Sequence, residues 1–479
     1  MLLYKRFLLM SALSWGLFTA LAVSAIFIAL GLPLGPVLLF SGLFVAAFVF
    51  RYTYLSFYIA IFLVPFLGLN ISIPTGELAF GKRAFGGSID ISVAETLLLI
   101  ILAVWAFKII FLWVRRHDTN WRPKLPLAGS YFLLFAAHLA SVFSPFLPDP
   151  VLVTKFAMRP VLFSYLAFIA LPVNLLRSRR RLVAALGAMA AVGTIAALNG
   201  ALSMFFVGAG SQFIRRAHPL PMFGVPALGD NHNLLAELLA VTVMITLALS
   251  FLVKKKEWSR LLLGSALLQL LVGLLTFSRT VWIVFILQAV FLAAVEYRHI
   301  LRRHLMMIIA VLLLLLPLSA LMLQVGFSNI AQSSNSTRLA LLEISMEVFQ
   351  AGPWFGGGAG TFLERVGSAQ IFRLEYGEPL DSHGFLQKLA AETGIFGLLA
   401  FMIVVFQFVR LLRRGLKGRR DSAARHAILL LSTGAGGAIV YQLFNTNYWT
   451  GKMWLPLGLA LAALSALDTQ NAALNEPEV

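Results

Sequence analysis

Residues 328–397 read SNIAQSSNSTRLALLEISMEVFQAGPWFGGGAGTFLERVGSAQIFRLEYGEPLDSHGFLQKLAAETGIFG, the longest polar stretch in a chain that otherwise runs from one apolar segment to the next. The stretch shows helical periodicity, a glycine-rich turn, three arginines and one histidine. Its apolar neighbours on both sides are long enough to cross a bilayer. We therefore predict one large soluble excursion between two membrane spans, and we expect functional side chains in it or beside it.

The composition is typical of a membrane protein. The 479 residues are 60% hydrophobic and only 12% charged, and the mean hydropathy is +0.88. The chain has no cysteine, which excludes disulfides, thiol catalysis and cysteine-ligated metals. The predicted fold class is an all-α polytopic integral membrane protein with about 12–14 transmembrane helices, because apolar windows of about 17–25 residues span a bilayer. The predicted spans are 7–30, 35–50, 54–69, 91–114, 126–143, 157–174, 182–207, 232–252, 261–277, 280–296, 305–325, 385–409, 427–444 and 454–468.

The distribution of Lys and Arg predicts the orientation in the membrane. The net charge is +18, and the basic clusters occupy every second connection between predicted spans. Since basic loops stay in the cytoplasm, both termini are predicted to be cytoplasmic. The basic excess then reflects topology and contact with anionic membrane lipids, and no nucleic acid is expected as a partner. The clusters are Lys5 with Arg6, Arg51, Arg115 to Lys124, Arg177 to Arg181, Lys254 to Arg260, Arg298 to Arg303, and Arg410 to Arg425.

Three regions are predicted along the chain. Residues 1–190 form N-terminal transmembrane helices, residues 191–470 form a membrane core, and residues 471–479 form a cytoplasmic tail. The core includes the large loop, 326–384, on the side opposite the basic clusters, which is the periplasmic side in a bacterial inner membrane. We expect this loop to contain short helices.

One surface helix is predicted inside the loop, over Ser336–Phe349, with Ser336 as its N-cap. Gly352 and Pro353 end it, and a glycine-rich turn follows that we expect to act as a hinge. A second helix is predicted to begin near Thr361. The apolar stripe of the first helix consists of Leu339, Leu342, Met346 and Phe349.

Arginines on the outward side are candidate binding groups, because charge near membrane depth is costly and therefore informative. Arg279 lies between two apolar runs in LLTFSRTVWIVF, and Arg338 lies at the predicted start of the surface helix, where the helix dipole disfavours a cation. Arg215 and Arg216 precede FGVPALGDNHNLLAELL. Each arginine either grips phosphate oxygens or has an ordinary role, as an interfacial anchor, a solvated loop residue or a local ion-pair partner.

His383 lies in DSHGFLQKLAAETGIFG, where the large loop re-enters the membrane. A histidine there can accept a proton from a hydroxyl near neutral pH, although a lone histidine at a helix start is more often a cap or a surface residue. His218 and His232 are alternatives on the same side.

The glycine run does not indicate a nucleotide site, because no Gly-Lys-Ser/Thr follows it and no strand precedes it. Metal binding is only weakly supported, since no cluster of His, Asp or Glu has ligand spacing. Several arginines without clustered carboxylates point instead to a phosphate group held by guanidinium groups.

Taken in their order along the chain, these motifs resemble those of the O-antigen ligase/polymerase superfamily, over residues 195–465. The first 190 residues resemble that family only in hydropathy. The matching segments are Arg215 or Arg216 with Phe223–Asn233, the Ser278–Thr280 turn with Trp282, Arg338 to Gly360, His383 with Gln387, Glu392, Thr393, Gly394 and Gly397, and Trp454.

The resemblance implies a membrane glycosyltransferase of lipopolysaccharide or exopolysaccharide biosynthesis. Its donor would be an undecaprenyl-diphosphate-linked glycan, and its acceptor a hydroxyl of lipid A core or of a growing glycan at the periplasmic face of the bacterial inner membrane. The mechanism implied is an inverting displacement without a metal ion or any other cofactor. The residues implied are His383 as the catalytic base, Arg279, Arg338, Arg215 and Arg216 as diphosphate-binding, and Asn233, Gln387 and Glu392 as supporting.

Other interpretations stay open at this point. A ligase and a polymerase share all of these residues and differ in acceptor. Peptidoglycan polymerases of the shape and division type are further relatives, but the acid that such proteins would place in the corresponding loop is not seen in this sequence. A lipid-linked glycan transporter or flippase would carry internal repeats and ionisable residues near the bilayer midplane, and neither stands out in the sequence. A non-catalytic scaffold is the remaining alternative.

Overall fold

The computed structural model describes residues 34–74, 88–116, 123–146, 150–206, 215–296, 329–377, 379–417, 419, 421–445 and 449–468. The chain divides into two compact units, Met1–Pro123 and Lys124–Val479. The predicted spans 7–30 and 305–325 and the predicted tail 471–479 lie outside the described residues.

The first unit begins with helices α1 (Leu34–Arg51) and α2 (Thr53–Leu63), which meet at a bend of 110°. Where they meet, the Thr53 hydroxyl donates to the Val49 carbonyl oxygen at 2.8 Å. The sequence predicts two separate spans here, whereas the structure has a bent pair that is either one broken span or a re-entrant loop.

A β-hairpin follows in the first unit, where the sequence predicts only a loop. Strand β1 (Asn70–Pro74) pairs antiparallel with β2 (Ser88–Ser92), with Asn70 opposite Ser92. The segments NISIP and SIDIS alternate apolar and polar residues, which is the period of a strand. Helix α3 (Val93–Arg116) comes next, and the Ser92 hydroxyl caps it by accepting from the Glu95 N–H at 3.1 Å.

The second unit contains helices joined by irregular segments, and its described residues include no strand beyond one isolated bridge between Met222 and Val225. A 3₁₀ turn, Ser141–Phe143, extends its first helix, and π-helical turns, Ala157–Leu162 and Leu166–Ala170, join the next three helices end to end. The helices are α4 (Ala128–Ala140), α5 (Pro150–Phe156), α6 (Phe163–Tyr165), α7 (Leu171–Leu175), α8 (Arg179–Phe206), α9 (His232–Leu252), α10 (Lys256–Leu275), α11 (Arg279–Val295), α12 (Asn329–Ala351), α13 (Phe362–Ser368), α14 (Gln370–Tyr376), α15 (Phe385–Leu416), α16 (Ser422–Gln442) and α17 (Gly451–Ala466).

Six helices of the described residues are long and apolar enough to cross a membrane, and the pair of α1 and α2 adds a seventh if it is one span. The six are Val93–Phe111 within α3, and α8, α9, α10, α15 and α16. Shorter apolar helices coincide with further predicted spans, at Ala128–Phe143, Phe163–Leu175, Arg279–Val295 and Gly451–Ala466. The predicted all-α polytopic fold class is therefore confirmed.

Helix α9 is the most buried of the six, with 83% of its apolar window inside the protein. Polar side chains of its neighbours bond across to it, as expected where lipid offers no competing partner. The Gln288 amide of α11 donates to the Ala240 carbonyl at 3.0 Å, and the Gln269 amide of α10 donates to the Thr246 hydroxyl at 3.1 Å.

Arginines near the basic helix ends cap carbonyl groups. Arg179 donates to the Leu252 carbonyl at the end of α9, and Arg419 donates to the Leu464 carbonyl near the end of α17. Both contacts satisfy acceptors that a helix C-terminus leaves free.

The large loop is mostly helical, and its first helix differs from the prediction. Helix α12 begins at Asn329, ahead of the predicted start at Ser336, and it ends at Ala351, next to the predicted stop at Gly352. Its predicted stripe does not face the protein, since Leu339, Leu342 and Met346 are 58%, 40% and 49% exposed. A neighbouring face, about a third of a turn away, is the buried one, and it carries Leu341, Ser345 and Val348.

The glycine-rich turn is packed tightly against helix α15, which contradicts the hinge that we expected. The N–H groups of Gly357 and Gly358 donate to the carbonyls of Ala391 and Glu392, at 2.6 and 3.0 Å. These carbonyls are available because α15 breaks at Gly394, where φ is +64° and ψ is −157°. The turn therefore completes the hydrogen bonds of a broken helix.

Candidate functional site

Three of the predicted site residues lie near one another, although they come from three separate segments. Arg279 begins α11, Arg338 lies in α12, and His383 lies just before α15. Burial and the cation of Arg279 lower the pKa of Arg338. Burial and the cation of Arg338 lower the pKa of His383, while Asp381 acts in the opposite direction. The group therefore repels further positive charge and favours a neutral His383.

Arg338 lies well inside its helix, not at its start. It is about two and a half turns after Asn329, so the helix-dipole argument made from the sequence does not apply. The Nε atom of Arg338 is buried and has no hydrogen-bond partner among the described residues. A buried donor without a partner costs about 1–3 kcal/mol. An anionic oxygen beside this guanidinium would remove that cost and offset the repulsion from Arg279.

A strained turn presents Arg279. Phe277 has a φ of +53°, in the left-handed region, which costs a bulky residue about 1–3 kcal/mol. The Trp282 indole N–H donates to the Leu274 carbonyl at 3.1 Å, and its ring lies edge-on to the Phe277 ring. Strain of this kind is commonly retained at functional sites.

The neighbours Arg215 and Arg216 have different surroundings. Arg215 is exposed, and its guanidinium donates to the Met204 carbonyl of α8 at 3.2 Å. Arg216 is half-buried, and its Nη1 lies 3.2 Å from Nε2 of His232, the first residue of α9. Burial lowers the pKa of Arg216. Of the two, Arg216 is the one directed at another predicted candidate.

A family model described as O-antigen ligase matches residues 264–402 of the chain. The matched stretch includes Arg279, Arg338 and His383, whereas Arg216 and Asn233 precede it. It confirms the resemblance to the O-antigen ligase/polymerase superfamily and supports glycan transfer by a membrane enzyme. No curated protein matches the chain.

Glu392 also lies within the matched 264–402 stretch, and its side chain contacts a neighbouring helix and a lysine of its own helix. Its carboxylate accepts from the Phe362 N–H at 3.2 Å, at the start of α13, and lies 3.8 Å from the Lys388 ammonium. Lys388 in turn donates to both carboxylate oxygens of Asp381, at 2.8 Å each. Asp381 is partly exposed and stands two residues before His383, so this chain of charges leads from the buried Glu392 to a residue next to the histidine.

The two other supporting residues lie close to predicted site residues. The Gln387 side chain lies over Gly384, where any Cβ would stand 3.0 Å from Gln387 Cδ. The Asn233 N–H donates to the Asn231 side chain, which caps α9, and the Asn233 carbonyl accepts from the Tyr441 hydroxyl at 2.7 Å.

Sequence reasoning missed Tyr441 and Lys452, which lie after the matched 264–402 stretch. Tyr441 gives no signal, because a tyrosine inside an apolar helix usually fills core space. Lys452 does give one, since it is a charged residue beside an apolar run, just as Glu237, a candidate already from its sequence position, is a charged residue within one. The structure buries the two charges together, with Lys452 Nζ 3.8 Å from Glu237 Oε2. The Gln442 and Asn445 amides donate to the same carboxylate, at 2.6 and 3.0 Å.

Proposed function

We propose that this chain is a glycosyltransferase of the bacterial inner membrane. It transfers a glycan from an undecaprenyl-diphosphate-linked donor to an acceptor hydroxyl, on lipid A core or on a growing glycan, at the periplasmic face. The observation that supports this best is the Arg279, Arg338 and His383 group, in which two cations lie together and a buried N–H lacks a partner among the described residues. A diphosphate supplies an acceptor for that N–H of Arg338 and negative charge to balance the two cations.

The reaction would be an in-line displacement at the anomeric carbon. The acceptor oxygen bonds to that carbon while the bond from the carbon to the diphosphate oxygen breaks, so the configuration inverts. The leaving undecaprenyl diphosphate gains negative charge, which the guanidinium groups of Arg279 and Arg338 stabilise. Arg216, beside His232, adds a third cation from the neighbouring segment.

His383 would take the proton of the acceptor hydroxyl. A base must be neutral before it acts, and burial beside Arg338 lowers the pKa of His383, so the neutral form prevails near pH 7. The proton that His383 gains is released to solvent after the glycan has moved.

The test is transfer by the purified protein. Undecaprenyl-diphosphate-linked glycan is supplied as the only substrate, and the products are separated on a gel. A ladder of longer chains indicates a polymerase, and transfer that requires added lipid A core indicates a ligase; either result supports the proposal. Absence of transfer under both conditions contradicts it and favours transport.

Two histidine variants show whether the proposed base matters. His383→Ala is expected to lower the transfer rate by at least about 100-fold, because a positioned base contributes that much or more. His426→Ala is the control. His426 lies near the start of α16, among the basic clusters, and its Nε2 is 3.4 Å from the Glu296 carboxylate. Full activity in His383→Ala would contradict the assigned role.

A further inference from the structure

One buried hydroxyl joins two of the segments that surround the proposed diphosphate site. Tyr441 of α16 is 1% exposed, and its hydroxyl donates to the Asn233 carbonyl in the first turn of α9 at 2.7 Å. The same oxygen lies 3.4 Å from the Ser278 hydroxyl. A phenol has a single hydrogen, and Tyr441 gives it to Asn233, so Ser278 must be the donor in the second contact. Tyr441 thereby connects the start of α9 to the residue before Arg279.

Two effects destabilise the turn at Ser278 and Arg279 that Tyr441 contacts. Phe277, beside Ser278, is in the left-handed backbone region. Arg279, on the other side of Ser278, is repelled by the cation of Arg338. A fixed contact at Ser278 opposes both tendencies, because Ser278 lies between the strained residue and the repelled one.

Tyr441 is a suitable anchor because its own position is well fixed. The next residue, Gln442, donates to Glu237 of α9 at 2.6 Å, and Asn445 donates to the same carboxylate at 3.0 Å. The last turn of α16 and the residues just after it therefore bond to α9 through three side chains, all of them buried.

We propose that Tyr441 is a positioning residue, whose hydroxyl holds the Ser278–Arg279 turn so that Arg279 stays beside Arg338 when the donor diphosphate binds. The inference rests on the proposed function, since it assigns the two arginines to the diphosphate. It adds a residue that touches neither the donor nor the acceptor and lies outside the matched 264–402 stretch.

The first experiment compares Tyr441→Phe with Tyr165→Phe. Tyr165 is a matched control, because it is also buried and its hydroxyl also donates to a backbone carbonyl, that of Pro126, at 3.0 Å. For Tyr441→Phe we expect the donor KM and the Kd of inorganic pyrophosphate both to rise about 10-fold, the loss typical of one well-placed contact. The acceptor KM should stay unchanged, and Tyr165→Phe should leave all three constants near those of the unsubstituted protein.

A second measurement reports on the turn itself, without any substrate. The chain has no cysteine, so Thr280→Cys provides a single thiol in the first turn of α11. We expect a maleimide to label this thiol several-fold faster when Tyr441→Phe is added, and at an unchanged rate when Tyr165→Phe is added. Equal labelling with and without Tyr441→Phe, together with an unchanged donor KM, would overturn the inference.

The two measurements separate the inference from the function on which it rests. If the unsubstituted protein neither binds pyrophosphate nor transfers glycan, the proposed function fails. Faster labelling in Tyr441→Phe would still support the link between Tyr441 and the turn. If the protein transfers glycan and Tyr441→Phe behaves like Tyr165→Phe in both measurements, the inference alone fails.

Discussion

At the scale of single residues, the environment of His383 predicts how the rate depends on pH. Burial and Arg338 lower the pKa of His383 below its ordinary value, and the neutral imidazole is the base. Transfer should therefore fall only when the pH drops below the ordinary histidine pKa, as His383 becomes protonated. A pH profile of kcat/KM for the donor measures this acid limb.

Two substitutions should move that acid limb in opposite directions. Arg338→Gln removes a cation that disfavours the charged histidine, so the limb should shift to higher pH, in addition to a loss of rate of about 100-fold. Asp381→Asn removes the anion that favours the charged histidine, so the limb should shift to lower pH. Arg373→Gln, on the exposed side of α14, is the control for a lost loop cation. Shifts in the same direction would show that the limb does not report His383.

Arg215 and Arg216 form a natural matched pair of neighbours. Arg216 is half-buried beside His232, whereas Arg215 is exposed and caps the Met204 carbonyl. We expect Arg216→Gln to lower kcat/KM for the donor about 100-fold and Arg215→Gln to lower it at least 10-fold less. Steady-state kinetics with varied donor decides between them, and equal losses would contradict the assignment to Arg216. The sequence alone leaves this choice open, because neighbouring positions differ only once the chain has folded.

At the scale of elements, the break in α15 depends on a single glycine. Gly394 has a φ and ψ that only glycine adopts readily, and a Cβ there would overlap the Trp354 carbonyl oxygen. Gly394→Ala should therefore destabilise the folded protein by about 1–3 kcal/mol or more, and it should displace the glycine turn. Thermal unfolding in detergent measures the loss.

Gly436→Ala is the control for that substitution. Gly436 lies within helix α16, and nothing stands within 4 Å of the position that its Cβ would take. Alanine there should be neutral or stabilising by up to about 1 kcal/mol, because alanine favours helices over glycine. Equal melting temperatures for the two variants would show that the break in α15 does not depend on glycine.

The elements also show where sequence patterns are sufficient and where they are not. Long apolar runs predict spans well, since hydrophobic length alone decides whether a helix crosses a bilayer. Which face of α12 is buried against the protein could not be predicted from apolar residues, because lipid and protein interior both accept apolar side chains. Leu339 and Leu342 therefore lie on an exposed face, and Leu341 and Ser345 are buried. The bonds between the glycine turn and α15 join residues far apart in the chain, and spacing does not encode them.

At the scale of the whole molecule, α15 separates the site from the basic clusters. From Ile395 to Leu416 the helix rises about 33 Å, slightly more than the hydrocarbon core of about 30 Å. His383 precedes one end, and Arg410, Arg413 and Arg414 lie near the other. Since clustered arginines remain on the cytoplasmic side, the histidine and the large loop should face the periplasm, as the proposed function requires.

Single-cysteine labelling in intact cells tests this sidedness, because the chain has no cysteine of its own. Leu374→Cys places a thiol on α14, at a position that is 88% exposed, and Arg413→Cys places one near the far end of α15. A maleimide that cannot cross the inner membrane should label Leu374→Cys in cells with a permeable outer membrane, and should label Arg413→Cys only after the inner membrane is opened. The reverse pattern would put His383 and the arginines on the cytoplasmic side. The proposed acceptor would then be on the wrong side of the membrane, whatever the geometry of the site.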